Sequence, residues 1–157
     1  MSDATSGTDL GMLLAACCER LVRDLFAKLG PAGYGHLTPS QAITVLLVGE
    51  GVDTVTQIAE RLGMTTQAMS KICGTLVAEG LLDRQPHTAD ARSRRLTLTA
   101  DGRRVLKLLR EAGKEAEHTW SGLVGAETLA TVRGALAAYA HRPDPTGPTA
   151  HVRIRFA

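Results

Sequence analysis

Apolar side chains recur at helical spacing near the start of the chain, after a polar and acidic leading segment. The stripe consists of Leu10, Leu13, Leu14, Cys17, Leu21 and Leu25, with Cys18, Val22, Phe26 and Leu29 beside it. This period predicts a first helix whose apolar stripe is too wide for packing against a single neighbour. Gly30-Pro31 is predicted to stop the helix, and the segment GPAGYGH is predicted to be a loop.

Two further helices are predicted from their start signals. Thr38 is the expected N-cap of the second helix, because Pro39 follows at the first helical position and Gln41 completes a capping box. Thr54 and Gln57 repeat the same spacing at the start of a short third helix.

The third helix leads through the sequence LGMT into a fourth. Gly63 can reverse the chain without a Cβ clash, Thr65 is the expected N-cap, and Gly80 is the expected stop. The apolar stripe of this fourth helix is Met69, Ile72, Cys73, Leu76 and Val77. Its opposite face carries Thr66, Gln67, Ser70, Lys71 and Thr75. Short hydrogen-bonding groups on a slim helix suit the major groove of DNA, although a solvated helix face is the commoner explanation of such a composition.

The sequence next predicts a β-hairpin, which we call the wing, from LLDRQ and RRLTLT with a loop containing Pro86 between them. Arg92, Arg94 and Arg95 fall within four residues of this hairpin. Like charges this close repel one another, so the cluster favours a partner that supplies negative charge.

Two more helices complete the prediction, over residues 100–119 behind the N-cap Thr99 and over residues 128–141. Gly113 and Gly134 lie inside them and weaken each by roughly 1 kcal/mol, so tertiary or inter-subunit contacts are expected to compensate. The final residues are Pro-rich and then alternate, which fits either an edge strand or a loose arm. The predicted fold class is mainly α with a small β-hairpin wing.

Charge and composition narrow the function. The net charge is +2, yet residues 54–110 hold ten lysines and arginines against five acidic residues. No aromatic residue lies between Gly35 and Thr119, and single-stranded nucleic acid binders usually stack bases on aromatic rings, so a duplex is the expected partner. The sequence contains no dinucleotide-binding fingerprint, P-loop, metalloprotease motif or nucleophile elbow, and no enzymatic activity is expected. With no export signal or membrane-length apolar run in the sequence, a cytoplasmic location is expected.

The motifs in the middle of the chain resemble the MarR family of bacterial transcription regulators, continuously from about Leu37 to Leu109. The family's Thr-x-x-Glu-Leu-Ala pattern, its Leu-Gly turn, its Gly-Leu-x-x-Arg segment and its Asp-x-Arg wing followed by Leu-Thr all have counterparts. These are Thr54, Gln57, Ile58 and Ala59; Leu62 to Thr65; Gly80, Leu81, Leu82 and Arg84; and Asp90, Arg92, Leu98 and Thr99. The sequence departs from the family at Ala91, where many relatives have another arginine.

This resemblance implies a winged helix-turn-helix core flanked by dimerisation helices, with a palindromic duplex as partner. The expected DNA-contacting residues are Thr65, Thr66, Gln67, Ser70, Lys71, Thr75, Asp90, Arg92, Arg94 and Arg95. Arg92 is expected to enter the minor groove, with Asp90 holding the wing tip through a nearby arginine. Because side chains alternate along a strand, Arg94 and Arg95 cannot both face DNA, and one of them can instead pair within the protein. The expected homodimer uses Leu10, Leu14, Leu21, Leu25, Trp120, Leu129 and Leu136.

The regulatory signal stays open at this level. Cys17 and Cys18 suggest redox sensing, since some family members sense peroxides through a cysteine in the first helix, but buried thiols in a dimer interface are the favoured interpretation. Cys73 is expected to be structural. The five histidines show no ligand spacing, so no metal or other cofactor is expected. The family resemblance also allows a small aromatic effector.

The predicted organisation has four parts: residues 1–36 as an arm and dimerisation helix, 37–100 as the DNA-binding domain, 101–142 as dimerisation helices, and 143–157 as a tail. The sequence therefore predicts a homodimeric duplex-binding transcriptional regulator, most simply a repressor released by a small ligand or an oxidant. The alternative is a winged-helix protein-interaction module without DNA binding.

Overall fold

The structure is a computed structural model, and it describes residues 9–86 and 94–140. Six α-helices and a two-stranded antiparallel hairpin make up this part of the chain. They are α1 (Leu10–Leu29), a π-helical turn (Gly30–Tyr34), α2 (Pro39–Gly49), α3 (Val55–Arg61), α4 (Thr66–Ala78), β1 (Leu82–Pro86), β2 (Arg94–Leu98), α5 (Ala100–Val124) and α6 (Ala126–Ala140). The predicted fold class is confirmed.

The predicted helix caps form by side-chain hydrogen bonds. At α2 the capping box is complete, because the Gln41 amide donates to Thr38 Oγ1 at 3.3 Å and Gln41 Oε1 accepts from the Thr38 amide at 2.7 Å. At α3 the amide of Gln57 donates to Thr54 Oγ1 at 3.3 Å, but the reciprocal half of the predicted box is not among the hydrogen bonds of the described residues. Thr65 caps α4 by accepting from the Ala68 amide at 3.2 Å.

The structure differs from the prediction in the segment after α1, at the end of β1 and at the end of α5. Helix α1 ends at Leu29, but the chain continues as a π-helical turn instead of a loop. Proline is tolerated at the start of a helical segment, where its missing N–H is not needed, so helical geometry is lost only at Gly33 with φ +88°. Pro86 is the last residue of β1, paired with Arg94, a position where a strand tolerates proline. Helix α5 extends past residue 119 to Val124, and Gly125 with φ +83° follows it.

One hydrophobic core joins the end of α1 to every element from α2 to α5. Its largest fully buried apolar side chains are Leu29, Val45, Ile58, Met69, Leu76, Leu82, Leu96, Val105 and Leu109. Buried Thr44 is satisfied, since its hydroxyl donates to the carbonyl of Ser40 at 2.7 Å. The first turns of α5 also belong to this core, because they pack against α2 and β2.

Helix α6 lies outside this core and buries none of its residues within the described chain. None of the helices in the described segments combines the length and apolar character that crossing a membrane requires.

Candidate nucleic-acid interface

The turn between α3 and α4 sets the position of α4. Gly63 adopts φ +59°, a left-handed conformation that glycine takes without steric cost. The amide of Met64 then donates to the carbonyl of Ala59 at 2.9 Å, which ties the turn back onto α3. With Thr65 capping the next helix, the predicted helix-turn-helix geometry is present.

Helix α4 has one buried side and one exposed polar side. Met69, Cys73 and Leu76 are fully buried, and Ile72 and Val77 are half-buried. The predicted contact residues Thr65, Thr66, Gln67, Ser70, Lys71 and Thr75 are all exposed. The Thr75 hydroxyl donates to the Lys71 carbonyl at 3.1 Å, so its oxygen remains able to accept. The outward face thus offers hydrogen-bonding groups of the size that base edges require.

Cys73 lies on the buried side of α4, as predicted. Burial raises the pKa of its thiol, while the positive charge of Arg84 on β1 opposes that shift. A protonated, enclosed thiol is a poor nucleophile, which agrees with a packing role. Strand β1, which carries Arg84, packs against α4.

The wing is a hairpin whose register is Leu82 opposite Leu98 and Pro86 opposite Arg94. Leu96 is buried, whereas its neighbours Arg95 and Thr97 are exposed, so the strand alternates between core and solvent. The predicted tip residues Asp90 and Arg92, and His87, lie outside the described residues. For Arg94 the structure describes the backbone, which lies opposite Pro86 in the hairpin.

Arg95 pairs within the protein, which is one of the two outcomes the strand alternation allowed. Its Nε donates to Asp53 Oδ2 at 2.8 Å. The neighbouring Leu96 amide donates to the Asp53 carbonyl at 2.7 Å, so one residue holds β2 through both its side chain and its main chain. Asp53 was not among the predicted site residues, because a contact between positions 53 and 95 leaves no local pattern.

The base of the wing is joined to α4 and α5 through Thr99. Its hydroxyl donates to the carbonyl of Gly80 at 2.6 Å and accepts from the amide of Gly102 at 3.0 Å. Its own amide donates to the Leu81 carbonyl at 3.1 Å. A Cβ at position 102 would overlap the Leu81 carbonyl oxygen, so the contact admits only glycine. The sequence indicated Thr99 as a cap but gave no role to Gly102.

A sequence profile of the MarR family matches residues 37–93, which span the helix-turn-helix and most of the wing. Rv2011c, an uncharacterised protein of Mycobacterium tuberculosis, is 30% identical over 126 residues, which cover 74% of this chain and 87% of that protein. This chain belongs to the MarR family. ML2140 of Mycobacterium leprae, described as an uncharacterised HTH-type transcriptional regulator, is 29% identical over 114 residues, which cover 73% of this chain and 76% of that protein.

Solved structures of MarR-family regulators share this fold. The transcriptional repressor CouR bound to a 23-mer DNA duplex is 26% identical with a TM-score of 0.69, covering 89% of this chain and 98% of that one. A variant of Escherichia coli MarR in complex with operator DNA is 20% identical with a TM-score of 0.68, covering 84% of this chain and 99% of that one. CouR of Rhodococcus jostii RHA1 bound to p-coumaroyl-CoA is 20% identical with a TM-score of 0.72, covering 91% of this chain and 99% of that one. This MarR-family chain is accordingly a winged-helix regulator.

The predicted dimerisation residues of this MarR-family protein fall into two groups. Leu10, Leu14 and Leu136 are 70%, 39% and 42% exposed, while Leu21, Trp120 and Leu129 are half-buried. Leu25 packs against the core of its own chain. The beginning of α1 and the face of α6 therefore leave apolar surface uncovered in one chain.

Cys17 and Cys18 are free thiols, both half-buried on α1. His36 Nε2 lies 3.6 Å from Glu79 Oε2. Residues 9–86 and 94–140 contain no group of three or more His, Cys, Asp or Glu side chains arranged to hold a metal ion.

Proposed function

We propose that this protein is a homodimeric transcriptional regulator that binds duplex DNA in a sequence-specific manner in the cytoplasm. The observation that carries the proposal is the exposed polar face of α4, opposite an apolar stripe that packs into the core and next to an arginine-rich hairpin. A helix of this kind can enter the major groove while a wing reaches the adjacent minor groove. The DNA-bound CouR structure, at 26% identity over most of the chain, supports the same arrangement.

The exposed apolar surface on α1 and α6 supports the homodimer. Leu123 at the end of α5 and Tyr139 on α6 are 79% and 72% exposed, and they add to the exposed apolar side chains of Leu10, Leu14 and Leu136. A soluble monomer rarely leaves so much apolar surface in water, and a second copy would cover it symmetrically. Two recognition helices related by a two-fold axis would then contact two half-sites about one helical turn apart.

Repression with release by a small ligand or an oxidant is the simplest regulatory scheme. One CouR, described as a transcriptional repressor, has been captured with a DNA duplex, and CouR of Rhodococcus jostii RHA1 has been captured with p-coumaroyl-CoA. The DNA binding of BpsR from Bordetella bronchiseptica is described as regulated by 6-hydroxynicotinic acid. We infer an aromatic effector class for this protein on the same basis, with oxidation of Cys17 or Cys18 as the competing signal.

Selection of bound sequences from a random duplex library tests the proposal directly. The expected result is an enriched palindrome whose affinity falls steeply with salt, because lysines and arginines release counterions from the phosphates. A protein-interaction module would give neither enrichment nor a steep salt dependence. Repeating the selected-site measurement with aromatic acids and with peroxide identifies the signal. Loss of binding on oxidation that is absent from a Cys17→Ala, Cys18→Ala variant would establish the redox scheme.

Arg92→Ala is expected to weaken binding to the selected duplex by about tenfold to a hundredfold, since an arginine in a narrow minor groove contributes roughly 1–3 kcal/mol. Fluorescence anisotropy at fixed salt measures the change. Arg104→Ala is the matched control, because Arg104 is an exposed arginine on α5 that pairs with Asp101 at 3.2 Å. Unchanged affinity in Arg92→Ala would refute the role assigned to the wing tip.

Gln67→Ala and Ser70→Ala are expected to change which base pairs are selected more than they change total affinity, because side chains at base edges specify sequence. Lys71→Ala is the comparison variant. It should weaken binding to all sequences alike and lower the salt slope by about one, as expected for a phosphate contact. Selection of bound sequences from the random duplex library is repeated with each variant and shows whether the preferred base pairs change. Identical enriched sites for all of the variants would exclude base contacts by α4.

A further inference from the structure

We propose that Asp53 is the positioning residue that fixes the direction of the wing, and that its pairing keeps Arg95 away from the DNA phosphates. The inference rests on the proposed DNA-binding function and adds a residue to it. It is carried by two contacts that converge on Asp53, the 2.8 Å ion pair from Arg95 Nε and the 2.7 Å hydrogen bond from the Leu96 amide.

We call these two contacts of Asp53, with the Arg95 side chain and the Leu96 amide, the clamp. The position of Asp53 in the chain makes the clamp effective. Asp53 lies between α2 and α3 and immediately precedes Thr54, the N-cap of α3, so it is joined directly to the first helix of the helix-turn-helix and not to the hairpin. Strand β2 is thereby bound to the element that also positions α4. A two-stranded hairpin is only marginally stable by itself, so its orientation depends on such an external anchor.

Among the residues that the structure describes, Asp53 is the acid that pairs with Arg95. The residue opposite Arg95 in the hairpin is Gln85, which is neutral and donates to Asp83 Oδ2 at 3.0 Å. The Asp53 side chain is only 21% exposed, whereas that of Arg95 is 47% exposed. Removing Arg95 would leave a partly buried carboxylate without its counter-charge, so pairing is favoured over transfer of Arg95 to a phosphate. The phosphate and minor-groove contacts of the wing would then fall to Arg92 and Arg94.

The experiment measures affinity for the selected duplex as a function of salt for Asp53→Asn, Arg95→Gln, the double variant and the charge swap D53R/R95D. Each single variant is expected to weaken binding about fivefold, and the double variant no more than either single, because both break the same pair. The salt slope should stay at the wild-type value in all of them. The charge swap should restore binding to within about threefold of wild type.

The opposite pattern would overturn the clamp. If Arg95 contacts phosphate, Arg95→Gln lowers the salt slope by about one, Asp53→Asn tightens binding, and the charge swap binds more weakly than either single variant. Asp24→Asn is the matched control, because Asp24 pairs with Arg20 at 3.1 Å on α1, away from the wing, and should change nothing.

A second measurement does not need DNA. Trypsin cleaves after Arg84, Arg92, Arg94 and Arg95 in the wing, and a wing released from Asp53 should be cut several-fold faster in Asp53→Asn than in wild type or in Asp24→Asn. Equal cleavage rates would overturn the clamp. If the wild-type protein selects no duplex, the proposed function fails by itself, while the cleavage rates still decide whether Asp53 holds the wing.

Discussion

Gly102→Ala is expected to lower the free energy of unfolding by about 3 kcal/mol or more, which is the largest stability effect we expect from a single methyl group in this chain. The added Cβ would overlap the carbonyl oxygen of Leu81, a backbone atom that cannot rotate away. Relief of the overlap requires the start of α5 to move from the turn after α4. That movement also breaks the hydrogen bonds that Thr99 makes to Gly80 and Leu81.

Urea unfolding followed by circular dichroism, at one fixed protein concentration, measures this effect. Gly113→Ala is the matched control in the same helix, since a Cβ there would meet nothing within 4 Å in one chain. It should leave stability unchanged or raise it by up to about 1 kcal/mol, because alanine favours the helix over glycine. Equal stability of the two variants would show that the contact between Gly102 and Leu81 is looser than the structure indicates.

Leu14→Asp combined with Leu136→Asp is expected to convert the proposed dimer to a monomer, with the dimer dissociation constant raised by roughly three orders of magnitude. The reason is that two unpaired carboxylates per chain would be buried at the interface, each at a cost of several kcal/mol. Size-exclusion chromatography with light scattering measures the mass. Binding to the palindrome should fall by at least about a hundredfold, because in the proposed complex each monomer would contact only one half-site.

Lys107→Asp is the control for introducing an acid on a helix, since the Lys107 side chain is 77% exposed on α5. It should leave the dimer intact. A dimeric mass for the Leu14→Asp, Leu136→Asp protein would mean that the exposed surface of α1 and α6 serves another purpose. If the wild-type protein has the mass of a monomer at every concentration measured, the homodimer itself is refuted.

Helix α5 physically connects the proposed DNA-binding region with the helices of the proposed dimer interface. Its first turns contribute Val105 and Leu109 to the core beneath the helix-turn-helix, and its later turns contact α1, where Lys28 pairs with Glu115 at 2.7 Å. On the α6 side, Arg133 pairs with Glu117 at 3.0 Å. One continuous helix therefore contacts α1 and α6 along its later turns and α2 and β2 along its first turns.

Local signals in the sequence determined much of the fold and of the candidate site. The caps at Thr38, Thr65 and Thr99 act over three residues, and Gly63 needs only its own φ, so neighbouring residues suffice to predict them. The buried and exposed faces of α4 follow from helical period alone. The family motifs then indicated the winged helix and the residues that would contact DNA.

Tertiary structure decided the features that depend on residues far apart in the chain. The pairing of Arg95 with Asp53 and the contact of Gly102 with Leu81 join segments separated by many residues, and neither changes the local hydrophobic pattern. The continuation of the chain as a helical turn through Pro31, and of α5 to Val124, also went beyond the local stop signals. Propensity and capping act within a few residues, whereas these contacts arise only when packing has brought distant segments together, which is why the sequence alone could not specify them.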